Sequence, residues 1–125
     1  MWTYRQHDGQ IALTRGSLTI IYGHGYSGCG DGLNNPALEA DAGVGPIPKG
    51  RYTIGAPLDP VDHLGPLALS LTPDPANVMF RRSAFFIHGD NAEGNHTASH
   101  GCIILDHAIR VQIDASTDKE LTVTT

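Results

Sequence analysis

The stretch FFIHGDNAEGNHTASHGCIIL, residues 85–105, joins two apolar runs through a polar segment rich in turn-forming residues. Short apolar runs bounded by such residues are typical of buried strands, and the polar segment between them is typical of a surface loop. His88 then ends the first predicted strand, and Cys102 lies at the start of the second. The pattern therefore predicts an imidazole and a thiol that neighbouring strands bring close together.

Cys102 is a candidate nucleophile, and His88 is its candidate base. The thiolate is the reactive form of cysteine, and an unassisted thiol is mostly protonated near neutral pH. Gly101 allows a sharp turn and leaves room for a substrate. The amides of Gly101 and Cys102 are candidate donors to the oxygen of a carbonyl under attack. Nucleophile, base and oxyanion donors together predict an acyl-transfer site.

The residues His88-Gly89 and Ser99-His100-Gly101-Cys102-Ile103 resemble the signature of YkuD-like L,D-transpeptidase catalytic domains. The whole chain resembles the small L,D-transpeptidase effectors that type VI secretion systems deliver. The other segments that carry this likeness are Trp2-Thr3-Tyr4, Tyr26-Ser27-Gly28, Asn34-Asn35-Pro36, the Pro-x-Gly-x-Tyr segment within 45–54, and Thr72-Pro73-Asp74-Pro75.

The resemblance implies a β-sandwich or barrel-like fold and a cysteine enzyme that needs no metal or organic cofactor. It implies Cys102 as nucleophile and His88 as base, with the His88 ring oriented by the carbonyl of Gly89. It also implies orienting or oxyanion positions at Ser99, Gly89 and Gly101.

Substrate-binding positions are predicted at His100, Arg82 and Tyr26. In an extended segment His100 shares a face with the nucleophile and would line the acyl site. The family often has Arg or Asn two residues after the cysteine, where this chain has Ile104. Arg82 is therefore the candidate to bind a substrate carboxylate. Asp90 is an alternative group for orienting the base.

The activity implied by the resemblance is attack on the third residue of a peptidoglycan stem peptide, with release of the terminal D-amino acid. Transfer to an amine gives transpeptidation or D-amino-acid exchange, and transfer to water gives L,D-carboxypeptidase activity. An antibacterial effector of this kind is expected to have an immunity protein and secretion machinery as partners. Residues 1–8 lack the apolar core of a signal peptide. We therefore expect synthesis in the cytoplasm, export by another route, and action in the periplasm of a target bacterium.

Two other functions remain open at this stage. One is a cysteine peptidase or amidase that acts on another cell-wall peptide bond. The other is a metal-binding module that uses His88, His96, His100 and Cys102, although these spacings depart from zinc-finger patterns.

The composition of the chain excludes several classes of protein. A length of 125 residues fits one domain, residues 1–125. A net charge of −5 argues against nucleic-acid binding, which requires a basic surface. No apolar run reaches the ~20 residues that a membrane-spanning helix needs. The 15 glycines and 8 prolines indicate many turns and hence a β-rich fold.

The strand pattern predicts a mainly antiparallel β domain with one or two short helices. Strands are predicted at 2–6, 10–14, 17–22, 51–54, 67–71 and 120–124, and the first three form a meander through two tight turns. A helix is predicted over 107–115, capped by Asp106 and with Ile109 and Ile113 on its buried face. A helical turn is also expected within 36–42.

The segment Gly23-His24-Gly25-Tyr26-Ser27-Gly28 matches G-x-G-x-x-G directly after a strand. A dinucleotide site would need a helix to begin there, and the glycine-rich sequence that follows has no helical periodicity. We therefore expect a mobile loop that covers the groove as a lid. The adjacent Cys29 is expected to remain unpaired, because a disulfide with Cys102 would remove the nucleophile.

Overall fold

The computed structural model describes residues 1–58, 67–90 and 99–125. Most of the predicted loop between His88 and Cys102, including His96, lies outside the described residues. The elements in chain order are β1 (Trp2–Arg5), β2 (Gln10–Arg15), β3 (Leu18–His24), β4 (Tyr26–Ser27), 3-10 helices Gly30–Gly32 and Pro36–Leu38, β5 (Gly50–Leu58), β6 (Ala68–Pro73), β7 (Phe85–His88), β8 (Ile103–Ile104), α1 (His107–Ala115) and β9 (Glu120–Thr124).

The described strands form one sheet in the order β3-β2-β1-β9-β5-β6-β7-β8-β4, which makes a nearly closed, barrel-like fold. The predicted mainly β, barrel-like class is therefore confirmed. Most neighbours pair antiparallel, as predicted, including the β1-β2-β3 meander. Two pairs are parallel, β1 with β9 and β7 with β8. The β7–β8 pair is the one that carries the predicted site.

The core lies between the inner face of the sheet and α1. Alternate residues of β1 are buried, as expected for a strand with one face on the core. Ile87 and Ile103, which pair across β7 and β8, are both 0% exposed. From the helix, Ile109 and Ile113 pack into the same cluster, as predicted.

The helix has its predicted bounds and its predicted N-cap residue, but the expected capping bond from the Asp106 side chain to the described helix is not formed. Asp106 occupies the N-cap position, yet its side chain makes no capping hydrogen bond to the described residues. Its backbone carbonyl instead accepts from the amides of Ile109 and Arg110, both at 3.1 Å. The helical turn expected within 36–42 is limited to the 3-10 helix Pro36–Leu38, where the Asn35 side chain accepts from the Ala37 amide.

The glycine-rich segment is not the mobile lid that the sequence predicts. Tyr26 and Ser27 are buried and form β4, which pairs with β8 at the edge of the sheet. Gly25 lies so close to β8 that an added Cβ would be 1.9 Å from the carbonyl oxygen of Ile104. Glycine at that position permits close packing of two backbones rather than motion. The described segment that follows begins no α-helix and has only the 3-10 helix Gly30–Gly32.

None of the described helices has the length and apolar character needed to cross a bilayer.

Candidate active site

Cys102 opens into a cavity of about 360 Å³ at the end of the sheet where β7 and β8 begin. The residue lies directly before β8, between a sharply bent Gly101 and the buried Ile103. Its side chain is half-buried and carries a free thiol. The described residues that line the cavity are Ala42, Gly43, Arg81, Arg82, Ser83, Ala84, Phe85, His100, Gly101 and Cys102.

The thiol of Cys102 is held against the start of β7. Its sulphur lies 3.9 Å from the carbonyl oxygen of Ala84. Burial raises the pKa of the Cys102 thiol above its ordinary value, while a hydrogen bond from the Phe86 backbone and the nearby charge of Arg82 act to lower it. Because the net pKa is raised, the resting site favours the protonated thiol. Attack by this sulphur therefore requires a base.

His88 is the last residue of β7 and is buried, with 3% of its surface exposed. Its Nδ1 lies 2.9 Å from the carbonyl oxygen of Gly89. A carbonyl can only accept, so the neutral ring donates from Nδ1 and carries its lone pair on Nε2. The contact that the resemblance implies between the ring and Gly89 is present. The role of His88 as base stays a prediction.

The parallel register sets the distance along the sheet between the two candidate groups. Ile87 pairs with Ile103 and His88 with Ile104, so Cys102 lies two residues before the partner of His88. The two side chains are therefore on neighbouring strands, as the sequence predicts. His88 is not among the described residues that line the Cys102 cavity. A direct contact between the His88 ring and the Cys102 sulphur therefore stays a prediction.

Ser99 holds the backbone of residues 99–102, called the nucleophile loop after the candidate nucleophile Cys102. It is fully buried, and its hydroxyl donates to the carbonyl of Cys102 at 2.6 Å. The Ser99 hydroxyl oxygen also accepts hydrogen bonds from the amides of Gly28 and Gly101, both at 3.0 Å. This fits the orienting position predicted for Ser99. The Gly101 amide, predicted as an oxyanion donor, would have to leave Ser99 to reach a substrate oxygen.

Gly101 packs closely against two side chains and has a backbone conformation that favours glycine. It has a φ of +137°, and an added Cβ would lie 2.4 Å from the Arg82 Nη2 and 2.9 Å from the Phe85 ring. Its carbonyl accepts from the Ser27 hydroxyl at 2.9 Å, and that hydroxyl in turn accepts from the Ile47 amide at 2.9 Å. Ser27 is thus a positioning residue that the sequence did not reveal, because its role depends on the pairing of β4 with β8.

Arg82 is buried, and its guanidinium donates hydrogen bonds to backbone carbonyls. Nη1 donates to the carbonyls of Glu39 (2.6 Å) and Pro46 (2.7 Å), and Nη2 donates to those of Gly45 (2.9 Å) and His100 (3.2 Å). The predicted binding of a substrate carboxylate by Arg82 would compete with these bonds. The contacts observed make Arg82 a structural residue that also places positive charge near the thiol.

His100 lines the Cys102 cavity, which agrees with its predicted place beside the acyl site. Its side chain is exposed, with Nδ1 at 3.1 Å from the carbonyl oxygen of Gly43 and 3.8 Å from the sulphur of Cys29. Cys29 is a free thiol, as predicted. The contact between Cys29 and His100 joins two glycine-rich segments that are remote in sequence. No pattern in the sequence predicts this contact.

Tyr26 lies apart from the Cys102 cavity. Its hydroxyl donates to the Asp90 carboxylate at 2.7 Å, and both residues line a separate cavity of about 260 Å³ near the start of α1. Tyr26 in β4 pairs with Ile104 in β8, and Ile104 also pairs with His88 in β7, so the tyrosine and the histidine lie on opposite sides of β8. Asp90, the alternative orienting group, bonds to Tyr26, and the contact observed at the His88 Nδ1 is with Gly89.

The metal-binding alternative requires a cluster of metal-ligating side chains, and the part of the chain that the structure describes contains none. Within 1–58, 67–90 and 99–125, no three His, Cys, Asp or Glu side chains are grouped so as to hold a metal ion. His96, one of the four residues in that alternative, lies outside these ranges.

Comparison with known families matches residues 22–124 to the Tlde1 domain. The match begins within β3 and ends at the last residue of β9, so it includes every candidate site residue. No curated protein and no solved structure matches the chain.

The close packing of Gly101 yields a testable prediction. Gly101→Ala should lower the free energy of unfolding by about 1–3 kcal/mol, because its methyl group must displace the Arg82 guanidinium and the Phe85 ring. It should also slow alkylation of Cys102 in a Cys29→Ser background. Chemical denaturation and iodoacetamide labelling measure the two effects.

Gly30→Ala is the matched control for this substitution. Gly30 also has a positive φ, +54°, but nothing lies within 4 Å of an added Cβ. An alanine at Gly30 therefore has no steric cost and a smaller backbone cost than an alanine at Gly101, since left-handed φ values near +54° are accessible to other residues. Equal losses of stability in the two variants would show that the packing of Gly101 against Arg82 does not matter.

Proposed function

The chain belongs to the Tlde1 domain family, a family of type VI secretion effectors, and we propose that it is a cysteine enzyme that transfers acyl groups of peptidoglycan stem peptides. In this proposal Cys102 is the nucleophile and His88 is the general base. The reaction class is that of an L,D-transpeptidase or L,D-carboxypeptidase, and it uses no cofactor.

The observation that carries the proposal is the parallel pairing of β7 with β8. It sets a histidine with a defined tautomer on the strand next to a thiol that opens into a cavity. The hydrogen bond between the His88 Nδ1 and Gly89 leaves Nε2 as the basic atom of the neutral ring. A nucleophile, a base and a group that orients the base are the three parts of a covalent acyl-transfer site.

The raised pKa of the thiol supports a mechanism in which attack and proton removal are coupled. Cys102 Sγ attacks the carbonyl carbon of the third stem residue, and the thiol proton passes to His88. The C–N bond to the terminal D-amino acid then breaks, and His88 returns the proton to the leaving amine. The product of this half-reaction is a thioester on Cys102.

The second half-reaction releases the acyl group. An acceptor amine, or water, attacks the thioester carbonyl and gives up a proton to His88. The S–C bond breaks, and the sulphur recovers its proton. In both half-reactions the negative charge on the carbonyl oxygen is stabilised by the amide of Cys102. The balance between amine and water determines whether the enzyme cross-links, exchanges D-amino acids or trims the stem.

The proposed mechanism predicts a covalent intermediate. Mixing the protein with a tetrapeptide stem should add the mass of the tripeptide acyl group to the chain and release the terminal D-amino acid. Cys102→Ala should gain no such mass, and Cys102→Ser should be inactive, because a serine hydroxyl is far less acidic. Intact-protein mass spectrometry measures the adduct.

Cys29→Ser is the matched control, since it removes the other free thiol and should still form the adduct. An adduct on Cys102→Ala would contradict the assignment of the nucleophile. Release of fragments cut at a different bond of purified peptidoglycan would instead identify a peptidase or amidase.

A further prediction distinguishes the roles of His88 and His100. His88→Gln should slow Cys102 alkylation at neutral pH and lower turnover by about 10²–10⁴-fold, the usual contribution of a general base. His100→Gln should leave alkylation nearly unchanged and weaken turnover, because the ring lines the cavity without serving as base. Iodoacetamide labelling in a Cys29→Ser background gives the alkylation rate, and the stem peptide gives turnover. The reverse pattern would transfer the role of base to His100.

We also propose that the protein is secreted and acts in the periplasm of a target bacterium, where its substrate lies, with an immunity protein as an expected partner. Production in the cytoplasm of a test bacterium should be harmless, and production with an added export signal should be toxic. The toxicity should disappear in Cys102→Ala. Viable counts measure both arms. Equal toxicity from both compartments that persists in Cys102→Ala would indicate a different target.

A further inference from the structure

The loop that precedes β7 is unusual in its backbone conformation. Phe80, Arg81 and Ala84 have φ values of +55°, +61° and +64°, in the left-handed region that non-glycine residues rarely occupy. Conformations of this kind persist only where the surrounding structure imposes them, and they cluster at functional sites. Here the loop is held by Arg82, whose amide donates to Met79 at 2.9 Å and whose side chain is buried.

The two successive arginines of this loop have opposite environments. Arg82 is buried and donates to four backbone carbonyls. Arg81 is exposed and lines the same cavity as the Cys102 thiol. Among the described residues no carboxylate forms an ion pair with Arg81. The left-handed backbone at Arg81 therefore accompanies an exposed arginine in the lining of the cavity, and this arginine has no ion pair with the residues that the structure describes.

The charge of the cavity also favours an anionic ligand. Its described lining contains two arginines and no aspartate or glutamate, in a chain whose net charge is −5. Its volume of about 360 Å³ is within the range of roughly 300–1,000 Å³ for small-molecule sites. A guanidinium that faces such a space has the planar fork of donors that binds a carboxylate through two parallel hydrogen bonds.

We propose that Arg81 binds the terminal carboxylate of the stem peptide and so selects stems that end at the leaving D-amino acid. The inference rests on the proposed function, because it takes Cys102 as the site of attack. The carboxylate of the leaving residue is one residue away from the attacked carbonyl, so a single cavity must hold both. Arg81 is then the specificity residue, and Arg82 is the structural residue that holds its loop.

The test is a binding measurement that needs no turnover. Calorimetry with the Cys102→Ala protein compares a tetrapeptide stem that has a free terminal carboxylate with the same peptide as a terminal amide. The free acid should bind about tenfold or more tightly, the usual worth of a hydrogen bond to a charged group. Adding Arg81→Gln should reduce the affinity for the acid to that for the amide, and Arg81→Lys should retain part of the preference.

Arg51→Gln is the matched control, because Arg51 is also exposed but lies at a different cavity. It should leave the preference for the acid unchanged. A preference that survives Arg81→Gln, or the absence of any preference in the Cys102→Ala protein, would overturn the inference. Thioester formation by the wild-type protein tests the proposed function separately, so a failure of the Arg81 assignment is distinguishable from a failure of the reaction itself.

Discussion

The buried guanidinium of Arg82 is the interaction on which the site depends. It joins the segment that contains Glu39, the Gly45–Pro46 turn and the nucleophile loop at His100 through four hydrogen bonds to carbonyls. Its carbon lies 5.2 Å from the centre of the Phe85 ring at the start of β7. A buried charge is strongly destabilising unless its donors are satisfied, so these segments must adopt this arrangement together. The position of Cys102 relative to β7 follows from it.

The same packing explains how the site combines a rigid loop with a reactive group. Ser99 and Ser27 hold the nucleophile loop through hydrogen bonds to Cys102 and Gly101. Burial raises the pKa of the Cys102 thiol, and Arg82 and the Phe86 backbone partly offset that rise. A raised pKa favours the protonated form of this thiol. The hydrogen bond from His88 to Gly89 fixes the tautomer of the neutral His88 ring.

Local patterns predicted most of the elements, because hydrophobic periodicity and turn residues act over a few neighbours. The meander of the first three strands, the helix His107–Ala115 and the closing strand Glu120–Thr124 all lie within two residues of their predicted bounds. The prediction of a mobile loop at the glycine-rich segment is wrong, because glycine serves two purposes that a sequence does not distinguish. It permits motion in a loop, and it permits close backbone contact in a packed sheet, as at Gly25.

The sequence by itself determined the fold class and the candidate nucleophile and base, and its family resemblance implied the orientation of His88 by the residue that follows it. These depend on local composition and on contacts between neighbours in the chain. Only the tertiary structure decided the parallel pairing of β7 with β8, the clamp at Ser99 and the different environments of Arg81 and Arg82. Adjacent arginines are identical as sequence signals. Burial, which long-range packing alone determines, makes one a structural residue and leaves the other facing the cavity.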